Sequence, residues 1–253
     1  MLIIRSVLFN AAFYLSTALM LILAIFTYPL PRRYLIALAG VWAHVCSWLF
    51  TFIVGGSYEV RGEEMLPKGK SIILASKHMS AFETFALVPL VDDPLFILKR
   101  ELLRYPLFGW ALLKTDMIPI DRSAGLKALR GMLVEARRKM TADNRQLIIF
   151  PEGTRRRPDT EPAYKYGISH IYHALNVPCY PVALNTGLFW PKGSPIRRSG
   201  KIIIEILPPI EPGMEMKAFF KQLSEIIESH SNRLISEARA ANDKLPLPPA
   251  CDA

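Results

Sequence analysis

The chain has 253 residues, enough for one catalytic domain with an appendage, and its Lys plus Arg count of 31 against 22 Asp plus Glu gives a formal charge of +9. The first 60 residues carry only Arg5, Arg32, Arg33 and Glu59, so +7 of that excess belongs to the remainder. A basic surface suits nucleic acid or anionic lipid headgroups; no nucleic-acid motif is present, so nucleic acid is set aside as a partner, and the apolar N-terminus points to lipid.

Residues 6–31 contain no charged side chain, and neither do residues 34–58 with His44 neutral. Each run is long enough to cross a bilayer, which takes roughly 20 apolar residues. Leu30-Pro31-Arg32-Arg33 breaks the helix between them and supplies two cations. A signal peptide does not fit: the first run is too long, no small-residue cleavage site follows, and a second apolar run begins at once. If both helices span, Arg32 and Arg33 lie across the bilayer from the catalytic domain, against the positive-inside tendency. The preferred alternative is a two-helix unit lying in one leaflet, with the arginines at phosphate level. Burial of both helices in a soluble core is the third reading.

From residue 57 short apolar runs alternate with longer amphipathic ones. Strands are predicted at 58–61, 72–76, 95–98, 117–120, 146–150, 179–184 and 201–206. Helices are predicted at 80–88, 106–114, 124–140, 165–175 and 214–241. The alternation reads as an α/β fold, a mixed, largely parallel sheet flanked by helices and preceded by the two-helix membrane motif. The domains expected are 1–56 as that motif, 57–245 as the catalytic domain and 246–253 as a mobile tail rich in proline. Cys46, Cys179 and Cys251 are far apart with no C-x-x-C pair, so free thiols in a reducing cytosol are expected, and no metal motif is visible.

Two segments carry chemistry. Ser76-Lys77-His78-Met79-Ser80-Ala81-Phe82-Glu83 follows an apolar strand and places an imidazole five residues before a carboxylate. His78 can take a proton from a hydroxyl near neutral pH, and Glu83 can hold its ring and tautomer. The same letters contain S-x-x-E, a capping box in which Glu83 accepts from the Ser80 amide, and taken alone this is the stronger reading. The second segment is Phe150-Pro151-Glu152-Gly153-Thr154-Arg155, again behind a strand. Amides near a glycine, a threonine hydroxyl and an arginine fork suit a phosphate ester, and Arg156 and Arg157 extend the positive field. A basic surface turn is the bland alternative. His78, Arg122 and Glu152 all follow strands and so can share the carboxyl-end rim where open sheets bind ligands.

The two segments in this order resemble the 1-acylglycerol-3-phosphate acyltransferase family of the glycerolipid acyltransferase superfamily. His78 to Glu83 is similar to its H-x-x-x-x-D block. Lys99 to Arg122, with Pro106-Leu107-Phe108-Gly109-Trp110 and Ile118-Pro119-Ile120-Asp121-Arg122, resembles the second block. Phe150 to Arg155 matches F-P-E-G-T-R, and Val177 to Asn185 resembles the fourth block. Glu83 departs from the usual aspartate. A histidine–glutamate pair at this spacing also resembles the late acyltransferases of lipid A synthesis, but those lack F-P-E-G-T-R.

The resemblance implies acyl transfer from a thioester to the sn-2 hydroxyl of lysophosphatidic acid, giving phosphatidic acid. His78 is then the general base and Glu83 its orienting partner, while Glu152, Gly153, Thr154 and Arg155 bind the glycerol phosphate. Arg122 is a second anion contact and Lys99 a further candidate. No cofactor is implied beyond the co-substrate, acyl-CoA or acyl carrier protein. The partner is a phospholipid membrane, the inner or plasma membrane in a bacterium, with the catalytic domain on the cytoplasmic side. Another lysophospholipid or a lyso-aminolipid is the alternative acceptor, and a non-catalytic lipid-binding protein the alternative class.

Overall fold

The structure is a computed structural model that describes residues 1–121 and 125–247. Two long helices, α1 (Leu2–Phe26) and α2 (Arg32–Leu49), open the chain; a π-helical turn, Phe50–Val54, continues the second. A seven-stranded sheet follows, built from β1 (Ser57–Arg61), β2 (Ile73–Ser76), β3 (Pro94–Lys99), β4 (Ile118–Ile120), β5 (Gln146–Ile149), β6 (Cys179–Leu184) and β7 (Lys201–Ile206). The remaining α-helices among the described residues are α3 (Phe82–Ala86), α4 (Phe108–Lys114), α5 (Gly125–Asp143), α6 (Gly167–Leu175), α7 (Thr186–Phe189) and α8 (Met216–Ala241).

The strand order is β1-β7-β6-β2-β5-β3-β4. Every pairing is parallel except β6 with β7, which is antiparallel. β2, β3, β4, β5 and β6 therefore end at one rim. The central strands β2, β5 and β6 are buried at every position, which accounts for their unbroken apolar runs. This is the expected mixed, largely parallel sheet. Helix boundaries shift by a few residues: the predicted helix at 80–88 begins at Phe82, because the chain from Lys77 to Ala81 is a loop.

Helices cover both faces. On one side Ile148 and Val182 pack with Phe9, Phe50, Phe82, Phe85 and Trp190, so α1 and α2 share a core with the α/β domain. The Phe9 and Trp190 rings meet edge to face at 5.1 Å, a contact worth about 0.5–1.5 kcal/mol beyond area burial. On the other side α5, α6 and α8 close over Leu147, Ile149 and Cys179. α8 presents Phe219, Leu223, Ile227, Ser231, Leu234 and Ile235 as its buried stripe, and Glu215 caps it by accepting from the amides of Lys217 (2.8 Å) and Ala218 (3.0 Å).

α1 and α2 are not soluble core helices. Only 11% of the most apolar window of α1 is buried, and 17% of that of the second helix. Their outer faces expose, among others, Ile3, Leu15, Phe26, Trp48 and Phe52. The turn between them is held to the α/β domain: Arg32 Nη2 lies 2.6 Å from Asp93 and 3.1 Å from Asp143. Arg32 is thus engaged by carboxylates of the sheet domain. At the other end of the chain Leu245 is buried and Arg239 Nε donates to the Pro246 carbonyl at 2.9 Å; residues 248–253 lie outside the described residues.

Candidate active site

β2 delivers Lys77 and His78 to the carboxyl rim, and α3 supplies Glu83 from its first turn. Glu83 is fully buried, and its Oε1 lies 2.9 Å from His78 Nδ1. The same oxygen accepts from the amides of Met79 (2.8 Å) and Ser80 (2.6 Å), while Oε2 accepts from Thr186 Oγ1 at 2.8 Å. Glu83 is thus both the cap that sequence reasoning set against a catalytic role and the imidazole's partner. Only half of the capping box forms, since the Ser80 hydroxyl accepts from the Phe82 amide at 3.1 Å. With the carboxylate on Nδ1, the ring's proton sits there and Nε2 is left as the acceptor. The imidazole stacks on Phe150, with centroids 4.1 Å apart, and is mostly buried.

The second motif grips the main chain of the first. Glu152 Oε2 accepts from the His78 amide at 2.9 Å, and the Arg156 amide donates to the His78 carbonyl at 2.8 Å. Glu152 Oε1 is 3.0 Å from Lys77 Nζ. Glu152 is fully buried with both oxygens occupied, and its charge is wrong for an anion. Expected among the phosphate ligands, Glu152 has its two oxygens on the His78 amide and the Lys77 ammonium. Gly153 turns the loop at φ +68°, in the left-handed region that favours glycine.

Lys77 is the centre of a buried network. It also pairs with Glu228 of α8, which accepts from the Tyr164 hydroxyl at 2.9 Å. Burial first, and then the carboxylates of Glu228 and Glu152, push the Tyr164 hydroxyl far above its usual range, so it stays a donor. Sequence reasoning missed Lys77, Glu228, Tyr164 and Thr186. Two had a signal: a lysine ending a fully apolar strand needs a buried counter-charge, and Thr186 follows a strand at the ligand-binding rim. Glu228, on a helix 151 residues away from Lys77, had none.

A cavity of about 1030 Å³ reaches from His78 into the apolar interior, just beyond the upper end of the roughly 300–1,000 Å³ usual for small-molecule sites. Met20, Leu35 and Trp42 of α1 and α2 line it together with Phe96, Leu112 and Met132 of the α/β domain. Its polar end carries His78, Thr154, Arg155, Lys165 and Lys192, and Lys99 also lines the wall. Beside it lies a basic pocket of about 360 Å³ formed by Thr154, Arg155, Arg156, Arg157 and Lys192. Lys192 was also missed; its ammonium donates to the Arg155 carbonyl at 3.0 Å and lies 3.4 Å from Thr154 Oγ1. Arg122 lies outside the described residues.

A buried histidine–carboxylate pair is thus set between an apolar chamber and a cationic loop, an arrangement of the class that transfers protons beside an amphipathic ligand. A profile of the family described as Acyltransferase matches residues 57–185. The chain is 32% identical over 220 residues to the 1-acyl-sn-glycerol-3-phosphate acyltransferase of Pseudomonas aeruginosa, covering 87% of this chain and 84% of that one. It is 34% identical over 184 residues to the enzyme of the same name from Limnanthes douglasii, covering 72% of this chain and 64% of that one. The crystal structure of the 1-acyl-sn-glycerophosphate (LPA) acyltransferase PlsC from Thermotoga maritima has the same fold, with a TM-score of 0.76 at 23% identity over 92% of this chain and 99% of that one. The chain belongs to the 1-acyl-sn-glycerol-3-phosphate acyltransferase family.

Proposed function

We propose that the chain moves a fatty acyl group from a thioester to the free sn-2 hydroxyl of a 1-acyl-sn-glycerol-3-phosphate, giving phosphatidic acid. The observation that carries this is the junction at His78, where the apolar cavity meets Thr154, Arg155 and Lys192. The cavity suits acyl chain, and the cations suit a phosphate. His78 Nε2 takes the hydroxyl proton as the oxygen attacks the thioester carbonyl. The C–S bond then breaks, and the proton leaves with the thiolate. Glu83 fixes the tautomer and stabilises the imidazolium. The donor is acyl-CoA or acyl carrier protein.

Residues 1–56 serve as the membrane motif, 57–245 as the catalytic domain, and the product stays in the bilayer. The Arg32–Asp93 pair supports the one-leaflet arrangement. Two spanning helices would carry Arg32 across roughly 30 Å of hydrocarbon from the domain that holds it. The catalytic domain then faces the cytoplasm, where acyl thioesters are made.

The test is to incubate the purified chain with lysophosphatidate, other lysophospholipids and a lyso-aminolipid, each with both donor classes, and to identify products by mass. Phosphatidic acid is expected, with His78→Ala losing on the order of 10²–10⁴ in rate. Transfer only to phosphate-free acceptors, or full activity in folded His78→Ala, overturns the reading.

A further inference from the structure

We propose that α4 and the turn before it form a second membrane-docking surface, separate from α1 and α2, which seats on anionic phospholipid. This rests on the lipid-substrate reading above. Trp110 and Leu113, one helical turn apart on α4, are 59% and 58% exposed, and Tyr105 just before the helix is 60% exposed. An exposed Trp–Leu–Tyr face on a seven-residue helix has no folding role and is costly in water. Trp and Tyr with apolar neighbours are the side chains that favour the headgroup boundary.

Two further observations identify the occupant as a bilayer. The first is continuity. α4 touches α1, and Lys114 Nζ sits 5.4 Å over the ring of Tyr28, in the turn that joins the two apolar helices. The exposed face of α4 thus extends the apolar surface of α1. The second is charge. Lys99, Arg100 and Arg104 are exposed in the segment leading to α4, while Glu101 is its one acid. Cations flanking an apolar face complement an anionic leaflet.

The placement gives the surface a purpose. The wall of the large cavity is shared by Met20 and Ile36 of the apolar helices and by Leu102, Phe108 and Leu112 around α4. With both sides of that wall seated in one leaflet, an acceptor passes laterally from bilayer to His78 without crossing water. Trp110 and Leu113 face away from the cavity lining and hold the domain down.

The experiment places a reporter on this face in the full-length chain. Cys46 and Cys179 are buried, so Leu113→Cys in a Cys251→Ser background accepts an environment-sensitive fluorophore, with Lys221→Cys on exposed α8 as control. On vesicles of phosphatidylglycerol and phosphatidylcholine, the label at 113 should shift to the blue and be quenched by lipids spin-labelled near the headgroup; the label at 221 should do neither. Trp110→Ser with Leu113→Ser should leave turnover of detergent-dispersed substrate unchanged and weaken vesicle binding about tenfold. A label at 113 that stays in water while the protein is vesicle-bound overturns the proposal. So does a shift produced by self-association in detergent, which would assign the face to a second copy, or one produced by acyl carrier protein and not by vesicles. If no lysolipid is acylated at all, the functional reading fails while the fluorophore still reports docking.

Discussion

Glu152 and His78 are joined through the main chain: one oxygen of the buried carboxylate accepts the His78 amide at 2.9 Å, and the other lies 3.0 Å from the Lys77 ammonium. The motif that looks like a phosphate site therefore also frames the main chain at His78. Its glutamate faces inward, while Arg155 lines the cavity.

That frame has a second support in Glu228. Glu228→Gln should lower kcat about tenfold with little change in KM, since a hydrogen bond to a charged group contributes about 1.5–3 kcal/mol and Glu228 is not among the residues that line the cavity. Glu228→Asp should recover part of the loss. Lys77→Met leaves the buried Glu152 carboxylate without its counter-charge, beside the half-buried Glu228, and should cost about 3–5 kcal/mol, read as a fall in Tm. A Glu228→Gln enzyme with unchanged kcat would reduce the network to a fold staple.

Glu83 accepts four hydrogen bonds, from His78, Met79, Ser80 and Thr186. Glu83→Ala orphans buried donors at about 1–3 kcal/mol each and removes the tautomer control, so stability and kcat should fall together. Glu83→Asp should keep much more activity. Thr186→Val removes one donor and should reduce kcat without changing the affinity for acceptor. Kinetics with thermal melts on the same samples check all three.

Arg155→Ala and Lys192→Ala should raise KM for the phosphate-bearing acceptor by about 10–100-fold, with smaller effects on kcat. Losses confined to kcat would move both residues away from the phosphate. Acceptor titrations at saturating donor separate the cases.

Gly187 follows Thr186, and a Cβ there would stand 2.9 Å from the Met79 Cβ and from the Pro158 ring. Gly187→Ala should cost about 1–3 kcal/mol and slow turnover, because Met79 also donates to Glu83. Gly131 lies in α5 with open space around it, so Gly131→Ala should be neutral or stabilising. Chemical denaturation of the two variants makes the comparison.

Among the surface carboxylates whose pKa is lowered, Glu59 gives a readable source of acid sensitivity. Hydrogen bonds from Arg61 and then Lys201 hold the Glu59 carboxyl down from 4.5 to about 2. Its contribution is complete above the unfolded value and disappears as pH falls through the folded one. The Tm difference between the native chain and Glu59→Gln should therefore be constant above pH 4.5 and shrink towards pH 2.

Much of the architecture was legible. Strands such as Cys179–Leu184 are short, apolar and bounded by turn residues, so period and punctuation located them. The His78 and Arg155 motifs were legible because local spacing sets their chemistry. What was not legible depends on contacts between distant segments. No pattern ties Glu228 to Lys77, and the inward aim of Glu152 is decided by the His78 amide, a backbone group without a letter of its own. The short helix at Thr186–Phe189 is likewise set by tertiary packing, being buried on all sides.

The apolar helices do more than present an exposed outer face. Met20, Leu35 and Trp42 belong to them and are wall residues of the cavity. The two apolar helices therefore set part of the chamber's shape, and a shift of either against the sheet domain would move its wall.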